Sequence, residues 1–229
     1  MIKIIAVDDF APALNRIDNY VNRLPGYKLL ATASDGYELI QYCTRHKELP
    51  DIVLLDVLMP KLDGVSTMEY LGTYFPSVKV ITLSTFEMED VITDMLACGA
   101  WGYMFKDKGL DKLAEALKSV ASGVPYVDPR LLFDVSRRAS LIQKRQEERA
   151  HIFQQLGLSA REQQLVSLIV SNMDYADIGD ILNVAPRTIE NSVQALTKKM
   201  GITNGRPGLL MHCIRLGLTK MMNLRSVRE

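Results

Sequence analysis

The hydrophobic pattern of the first 122 residues changes its period repeatedly along the chain. Short apolar, β-prone runs alternate with stretches in which apolar residues recur every three or four positions, as in amphipathic helices. The predicted strands cover residues 3–7, 27–33, 52–55, 78–83 and 102–105. Each strand and the helix after it take up roughly 25 residues, as in the strand–helix units of parallel sheets. Five such units predict a parallel, doubly wound α/β sheet with right-handed crossovers.

The chain after residue 122 is predicted to be helical. Residues 130–156 are charged and rich in helix-forming residues, and we interpret them as a mobile helical linker, with a short dimer-forming helix as the alternative. The basic side chains of this linker are expected to form a solvated face: Arg137, Arg138, Lys144, Arg145 and Arg149.

Four helices are predicted in the C-terminal part. Ser159, followed three residues later by Glu162, has the pattern of a capping box at the start of the first helix. Asn172 stands where a left-handed residue would end that helix. The other three helices are predicted over residues 175–182, 186–200 and 207–216. A short helix, a three-residue connection and a longer helix form a helix-turn-helix pattern.

The composition is that of a soluble globular protein, with 48% hydrophobic and 24% charged residues. No apolar stretch reaches the roughly 20 residues of a membrane helix, and the N-terminus becomes acidic too early for a signal peptide. Cys43, Cys98 and Cys213 lie far apart and lack the spacing of a disulfide framework or a zinc site. We therefore expect a cytoplasmic protein with no membrane partner.

Charge divides the chain into two halves. Residues 1–130 contain 13 Lys and Arg against 18 Asp and Glu, a balance of −5. Residues 131–229 contain 14 against 9, a balance of +5. An acidic half joined to a basic half indicates two modules with different partners, and a basic module suits nucleic acid. The excess is mild, so charge alone does not establish DNA binding.

Chemically reactive side chains stand at the carboxyl ends of four predicted strands: Asp8 and Asp9, Asp56, Ser84 with Thr85, and Lys106. In a doubly wound sheet these ends line the functional crevice. Three carboxylates at close range repel one another unless a cation joins them, and Mg²⁺ suits such oxygen ligands. A carboxylate oxygen can also accept a phosphoryl group, whose oxygens Ser84 and Lys106 could hold.

Each of these residues also has an ordinary structural interpretation. Asp9 could cap the helix that starts near Pro12. Ser84 and Thr85 could cap the fourth helix, and Lys106 could be a surface lysine. The right chemistry at all four strand ends favours a shared site over four independent coincidences.

The motifs at these strand ends resemble the receiver domain of bacterial two-component response regulators. The resemblance is carried by Asp8-Asp9-Phe10, LLDVLMPKLDG around Asp56, LST at Ser84 and GYMFKD at Lys106-Asp107. Many receivers have Lys-Pro where this chain has Lys106-Asp107, and the Lys-Asp pair favours the NarL/FixJ branch. The resemblance implies a flavodoxin-like, five-stranded parallel sheet in the order 2-1-3-4-5.

The same resemblance implies roles for individual residues. A sensor histidine kinase would phosphorylate Asp56, Ser84 and Lys106 would hold the phosphoryl group, and Tyr103 would turn inward as the switch aromatic. Mg²⁺ would be the cofactor. Its ligands would be Asp9, Asp56 and the backbone carbonyl of Leu58, with Asp8 acting mainly through water.

The C-terminal part resembles the LuxR-type DNA-binding domain. LSAREQQLVSLI, DIGDIL and RTIENSVQALTKKMGITN carry this resemblance over about residues 156–222. It implies that residues 188–200 form the recognition helix in the major groove. Base contacts are expected from Glu190, Asn191 and Gln194. Phosphate contacts are expected from Arg187, Thr188, Lys198 and Lys199.

Four features depart from the LuxR-type pattern. A basic residue is usual at Glu190, histidine at Ser192 and a small helix-former at Gly179, and residues 204–207 replace an Arg-Thr start. These departures indicate weak DNA binding that dimerisation would reinforce, or a degenerate output domain.

The two resemblances predict a DNA-binding response regulator rather than an enzyme. A receiver is expected at 1–122, a partly helical linker at 123–156 and a helix-turn-helix domain at 157–229. Phosphorylation of Asp56 would promote a homodimer and expose the recognition helix to double-stranded DNA. Two alternatives stay open: a phospho-switched protein-interaction module that does not bind DNA specifically, and a Mg²⁺-dependent phosphohydrolase.

Overall fold

The computed structural model describes residues 1–85, 89–106, 110–131, 134–169 and 171–218 of the chain. The chain divides into two compact units, Met1–Arg145 and Gln146–Glu229. The division falls inside the predicted linker, and the domain boundaries at residues 122 and 156 stay predictions.

Within the described ranges, the first unit is built on a six-stranded parallel sheet. The strand order is β2-β1-β3-β4-β5-β6, and every neighbouring pair is parallel. The strands are β1 (Ile2–Val7), β2 (Tyr27–Ala33), β3 (Ile52–Asp56), β4 (Lys79–Ser84), β5 (Gly102–Phe105) and β6 (Tyr126–Val127). All five residues of β3 are buried, as expected of an apolar strand that is covered on both faces.

Helices cover both faces of this sheet. They are α1 (Ala11–Val21), α2 (Gly36–Arg45), α3 (Gly64–Tyr74), α4 (Glu89–Ala97) and α5 (Leu113–Ala121). On one face, Ile17 of α1 and Leu117 of α5 belong to the same buried cluster as Leu54 of β3. The residues on either side of Leu54, Val53 and Leu55, point to the opposite face of the sheet and are buried as well.

The predicted doubly wound class and the order 2-1-3-4-5 are confirmed, but the sheet has one strand more than predicted. β6 extends the edge by pairing Gly102 with Tyr126 and Tyr103 with Val127. Two residues directly after the Pro125 turn are too few to show a hydrophobic period, so the pattern alone assigned them to the linker.

The linker segment contains a helix, α6 (Arg138–Gln155), after a 3₁₀ turn at Val135–Arg137. The expectation of a solvated basic face is wrong for three of its five residues. Arg138 donates to two backbone carbonyls just after α4, and Arg145 pairs with Glu69 of α3. Arg149 donates to the Ser167 hydroxyl at 2.6 Å and to the Leu218 carbonyl at 3.3 Å. These partners are remote in sequence, so local charge patterning gave no sign of them.

The second unit is helical through its described residues. After the end of α6 it contains α7 (Ala160–Ile169), α8 (Tyr175–Leu182), α9 (Pro186–Lys199) and α10 (Gly205–Arg215). The predicted inward residues Ile189, Val193 and Leu196 are buried. No helix in the described part of the chain is long and apolar enough to cross a membrane.

The turn between α8 and α9 depends on two residues with special backbone requirements. Asn183 ends α8 in the left-handed region at φ 53. The left-handed residue predicted at Asn172 is wrong, because that residue has no positive φ. A Cβ on Gly179 would lie 2.6 Å from the Val184 carbonyl oxygen. Gly179, which departs from the family pattern, thus lets the connection between α8 and α9 pass close to the α8 backbone.

Glu162 joins the start of α7 to the end of α9. The amide and hydroxyl of Ser159 donate to its Oε2 at 2.7 and 2.8 Å, forming the predicted capping box. Lys199, at the end of α9, donates to both Glu162 oxygens at 2.9 and 3.0 Å and to the Gly157 carbonyl at 2.7 Å. The Lys199 hydrogen bond is the largest of the influences that lower the pKa of Glu162.

Replacing Gly64 with alanine is expected to lower the free energy of unfolding of the first unit by about 1–3 kcal/mol. A Cβ on Gly64 would lie 2.5 Å from the Asp56 carbonyl oxygen and 2.8 Å from Cα of Val57, which are both backbone atoms. Urea unfolding followed by circular dichroism measures the loss. The control is Gly72→Ala in the same helix, where the Cβ would meet the Cys98 carbonyl at 3.2 Å. Equal losses in the two variants would contradict this account.

The variant Glu162→Gln is expected to destabilise the second unit by about 1 kcal/mol at neutral pH, because it weakens the capping box and the Lys199 ion pair. These contacts hold the pKa of Glu162 below its ordinary value of 4.5. Their stabilisation is therefore full above that value and is lost as the pH falls through the folded-state pKa. Urea unfolding at several pH values tests this, with Glu147→Gln as the control. A difference that stays constant as the pH falls from neutral to well below the ordinary glutamate pKa, until the chain unfolds, would refute the assignment.

Candidate functional site

Three aspartates lie together at the carboxyl ends of β1 and β3. Asp8 is 1% exposed and Asp56 is 7% exposed, whereas Asp9 is exposed to solvent. One carboxylate oxygen from each residue lies within 4.8 Å of the other two. Because β1 and β3 are paired parallel neighbours, their ends bring these side chains to one edge of the sheet. The structure thus brings the three predicted acidic residues together.

Lys106 places its ammonium between two of these carboxylates. Its Nζ lies 2.6 Å from Oδ2 of Asp8 and 2.9 Å from Oδ1 of Asp56. The other oxygen of Asp8 accepts a hydrogen bond from the Phe10 amide at 3.0 Å. One positive charge is therefore shared between two buried carboxylates, and Lys106 is not an ordinary surface lysine.

The electrostatics of Asp56 follow from these neighbours. Burial, which disfavours the charged form, is the largest cause of a pKa above the ordinary value, and Asp8 raises that pKa further. The Lys106 ammonium and its hydrogen bond act in the opposite direction and lower it. An ionised Asp56 oxygen at this position is a nucleophile next to a positive charge, which is the chemistry of a phosphoryl acceptor.

Ser84, at the end of β4, and Tyr103, in the neighbouring β5, are both completely buried. Burial raises the pKa of Tyr103 to about 12, against a smaller lowering by its hydrogen bond with Ser84. The Tyr103 ring packs edge-on against Phe105 with centroids 5.9 Å apart. Tyr103 therefore occupies the inward position, and the turn predicted for it on phosphorylation stays a prediction.

Three further residues were named in the sequence analysis near these side chains. Leu58, whose backbone carbonyl is a predicted metal ligand, is half-buried and lies two positions after Asp56. Thr85 is exposed, and Asp107 lies outside the described residues.

The predicted DNA contacts lie on the exposed side of α9. The exposed members are Arg187, Thr188, Asn191, Gln194, Lys198 and Lys199, and Glu190 is half-buried. Arg187 and Glu190 form an ion pair with 2.6 Å between Nη1 and Oε2. A predicted phosphate contact and a predicted base contact therefore bind each other, and their i, i+3 spacing was a signal for this pair.

The two lysines at the end of α9 differ. Lys198 is exposed, and it stays a predicted phosphate contact. The ammonium of Lys199 is bound to Glu162 and to the Gly157 carbonyl, so it ties the end of α9 to the start of α7. No local pattern could have predicted the pair of Lys199 and Glu162, since these residues are 37 positions apart.

Comparison with known families finds a match in each half of the chain. The response regulator receiver domain matches residues 4–118, and the luxR family of bacterial regulatory proteins matches residues 156–211. The transcriptional regulatory protein DegU of Brevibacillus brevis is 28% identical, with 96% of each chain covered. The transcriptional regulatory protein MctR of Rhizobium johnstonii is 31% identical, with 74% of each chain covered.

Solved structures share the fold. A structure of RcsB from Salmonella typhimurium matches with a TM-score of 0.52 and 20% identity, covering 93% of this chain and 98% of that one. RcsB bound to the promoter rprA with a phosphomimetic also has a TM-score of 0.52, covering 96% of this chain and 100% of that one. At 20% identity this likeness concerns the fold alone.

The family evidence agrees with the motifs at the strand ends and along α9. The receiver match spans half of the chain, and the luxR-type match follows it in the predicted order. The chain therefore belongs to the NarL/FixJ-type response regulators, transcription regulators in which a receiver domain precedes a LuxR-type DNA-binding domain.

Proposed function

We propose that Asp56 is the phosphoacceptor of this response regulator and that a sensor histidine kinase is its phosphoryl donor. The observation that carries the proposal is the ammonium of Lys106, which bridges Asp8 and Asp56 next to the exposed Asp9. This arrangement combines a nucleophile, a compensating charge and acidic cation ligands, which are the requirements of phosphoryl transfer.

The transfer exchanges one bond to phosphorus for another. An Asp56 carboxylate oxygen forms the new P–O bond while the bond from phosphorus to the kinase histidine nitrogen breaks, and that nitrogen keeps the electron pair. Lys106 Nζ, 2.9 Å from an Asp56 oxygen, is within reach of the phosphoryl oxygens and holds their charge. The exposed Asp9 marks the side of the site that solvent reaches.

The acidic cluster fits a Mg²⁺ ion. Its carboxylates are hard oxygen donors with one oxygen each within 4.8 Å of the others. Asp9 and Asp56 would hold the ion with the Leu58 carbonyl, and Asp8 would contribute mainly through water. When bound, Mg²⁺ supplies charge neutralisation at the carboxylate and phosphoryl oxygens.

The phosphoryl group adds about −1.5 to −2 charges to this buried edge. The Ser84 hydroxyl turns from Tyr103 to a phosphoryl oxygen, and Tyr103 loses its hydrogen-bond partner and repacks. The population shifts towards a homodimer whose recognition helices contact paired half-sites in double-stranded DNA. This output is supported by two structures of RcsB, one bound to a promoter with a phosphomimetic and one of two dimers bound to DNA.

On α9, we assign base contacts to Asn191 and Gln194, whose amides can pair with adenine. Glu190 contacts cytosine or orients Arg187, and Lys198, Thr188 and Arg187 contact phosphates. The DNA target makes the cytoplasm the site of action.

A phospho-switched module that binds a protein is the second candidate. The Arg187–Glu190 ion pair favours it, because that pair cancels a positive charge on the surface that DNA would contact. DNA affinity of the phosphorylated protein separates the two functions. Affinity that falls steeply with salt supports DNA binding, and absent or salt-insensitive affinity supports the protein partner.

Replacing Asp56 with asparagine is expected to abolish labelling by acetyl phosphate and Mg²⁺ and the dimer that follows it, since the amide cannot form the acyl phosphate. Phos-tag gels and light scattering of the full chain measure the two effects. The control is Asp111→Asn, which changes an exposed aspartate and should label and dimerise like the wild type. Stoichiometric labelling of the Asp56 variant would show that the phosphoacceptor is another residue.

Lys198→Met and Lys199→Met are expected to act differently on a duplex selected by the phosphorylated wild type from a random library. Loss of a phosphate contact at Lys198 should lower the slope of log K against log salt by about 0.9. Lys199→Met should leave that slope unchanged and instead lower the free energy of unfolding, because Lys199 is bound to Glu162. Fluorescence anisotropy at several salt concentrations measures both slopes. A reduced slope for Lys199→Met would show that Lys199 contacts a DNA phosphate.

A further inference from the structure

Arg138, in the first turn of α6, is bound to the connection between α4 and β5. Its Nε donates to the Ala100 carbonyl and its Nη2 to the Gly99 carbonyl, both at 2.6 Å. The guanidinium also lies 4.7 Å from the centre of the Trp101 ring. Three consecutive residues of this connection are therefore held by one side chain of the linker helix.

Arg145, about two helical turns further along α6, is bound to α3. It pairs with Glu69, and the side chains of Arg145 and Glu69 are only 18% and 9% exposed. Cys98 lies 3.9 Å from the same carboxylate. A charge buried in this way depends on its partner, because removing one member leaves the other uncompensated. Since residues seven apart share a helix face, α6 is fixed to the first unit at two points on one face.

The held connection lies between the two residues of the proposed switch. Ser84 ends β4, the chain then passes through α4 and residues 99–101, and Tyr103 follows in β5. The side chains of Ser84 and Tyr103 are hydrogen-bonded to each other while α6 is docked. Arg138 restrains the end of this segment, at Gly99 and Ala100, four and three positions before Tyr103. A rearrangement that moves Tyr103 therefore acts on the contact with α6.

We propose that Arg138 and Arg145 form a linker latch, in which docked α6 opposes the rearrangement of Ser84 and Tyr103, so that phosphorylation of Asp56 and release of the linker helix are coupled. The latch rests on the proposed function of Asp56. Coupling of this kind is reciprocal: if a phosphoryl group releases the latch, opening the latch must make a phosphoryl group bind more tightly.

Beryllofluoride with Mg²⁺, a stable phosphoryl analogue, tests this reciprocity on the full chain. Fluorine NMR of the bound fluorides gives the concentration for half-saturation. Glu69→Gln and Arg145→Met should lower this concentration at least about fivefold, the lower end of usual coupling. Lys144→Met removes the same charge from the exposed neighbour of Arg145 and should stay within about twofold of the wild type.

A double variant and a second measurement keep the test conclusive if a single substitution unfolds the chain. If either single substitution unfolds the chain, the double variant Glu69→Gln with Arg145→Met removes both buried charges and answers the same question. Trp101 is the single tryptophan of the chain, and its ring lies against both Arg138 and Lys79. The Arg138→Met variant therefore identifies the part of an emission change that comes from the Arg138 contact. Saturating beryllofluoride should shift this emission in the wild type and leave it unchanged in Arg138→Met.

Folded latch variants with a half-saturation concentration equal to that of the wild type, or higher, would overturn the latch. A wild type that is labelled by acetyl phosphate but keeps its Trp101 emission would overturn it as well, with the phosphoacceptor intact. A wild type that neither labels nor binds beryllofluoride would overturn the latch together with the proposed function, so the two failures are distinguishable.

Discussion

The ammonium of Lys106 between Asp8 and Asp56 is the interaction on which the rest of the receiver site depends. The parallel pairing of β1 and β3 forces their terminal carboxylates together, to within 4.8 Å once Asp9 is included. Like charges at that range and in a buried setting are unfavourable without compensation. Lys106 comes from the end of β5, two strands away from β3, so the sheet has to be assembled before the charges balance.

The same balance makes the site responsive. A phosphoryl group on Asp56 adds negative charge where a single ammonium already serves two carboxylates, so Lys106 and the Ser84 hydroxyl are drawn to it. Ser84 and Tyr103 belong to one strand–helix–strand segment, and Arg138 holds the part of that segment just before Tyr103. A local change in charge thus acts on a connection that the linker helix restrains, which gives the receiver a physical route to its output.

How much the sequence predicts depends on the range of the interaction. Strand ends are local features, and topology brings them to one edge, so Asp8, Asp56 and Lys106 could be found from period and position alone. β6 is too short to show a period. The docking of Arg145 on Glu69 joins residues 76 positions apart, and no local pattern distinguishes a buried arginine from a solvated one.

The C-terminal domain shows the same division between local and remote signals. The capping box of Ser159 and Glu162 is written in four consecutive residues and was predicted. The role of Gly179 depends on where the Val184 carbonyl lies after the chain turns. Helix propensity by itself predicts only that a glycine weakens a helix. Asn183 rather than Asn172 takes the left-handed conformation, because the short connection to α9 has to begin there.

The most direct test of the account is the chemical identity of the phosphorylated residue. Borohydride reduces an aspartyl phosphate to homoserine, which peptide mass spectrometry locates after treatment of the full chain with acetyl phosphate and Mg²⁺. The account predicts homoserine at Asp56 and unmodified aspartate at Asp8 and Asp9. Homoserine at either of those residues, or phosphate on a residue outside the cluster, would contradict the assignment of nucleophile and cation ligands.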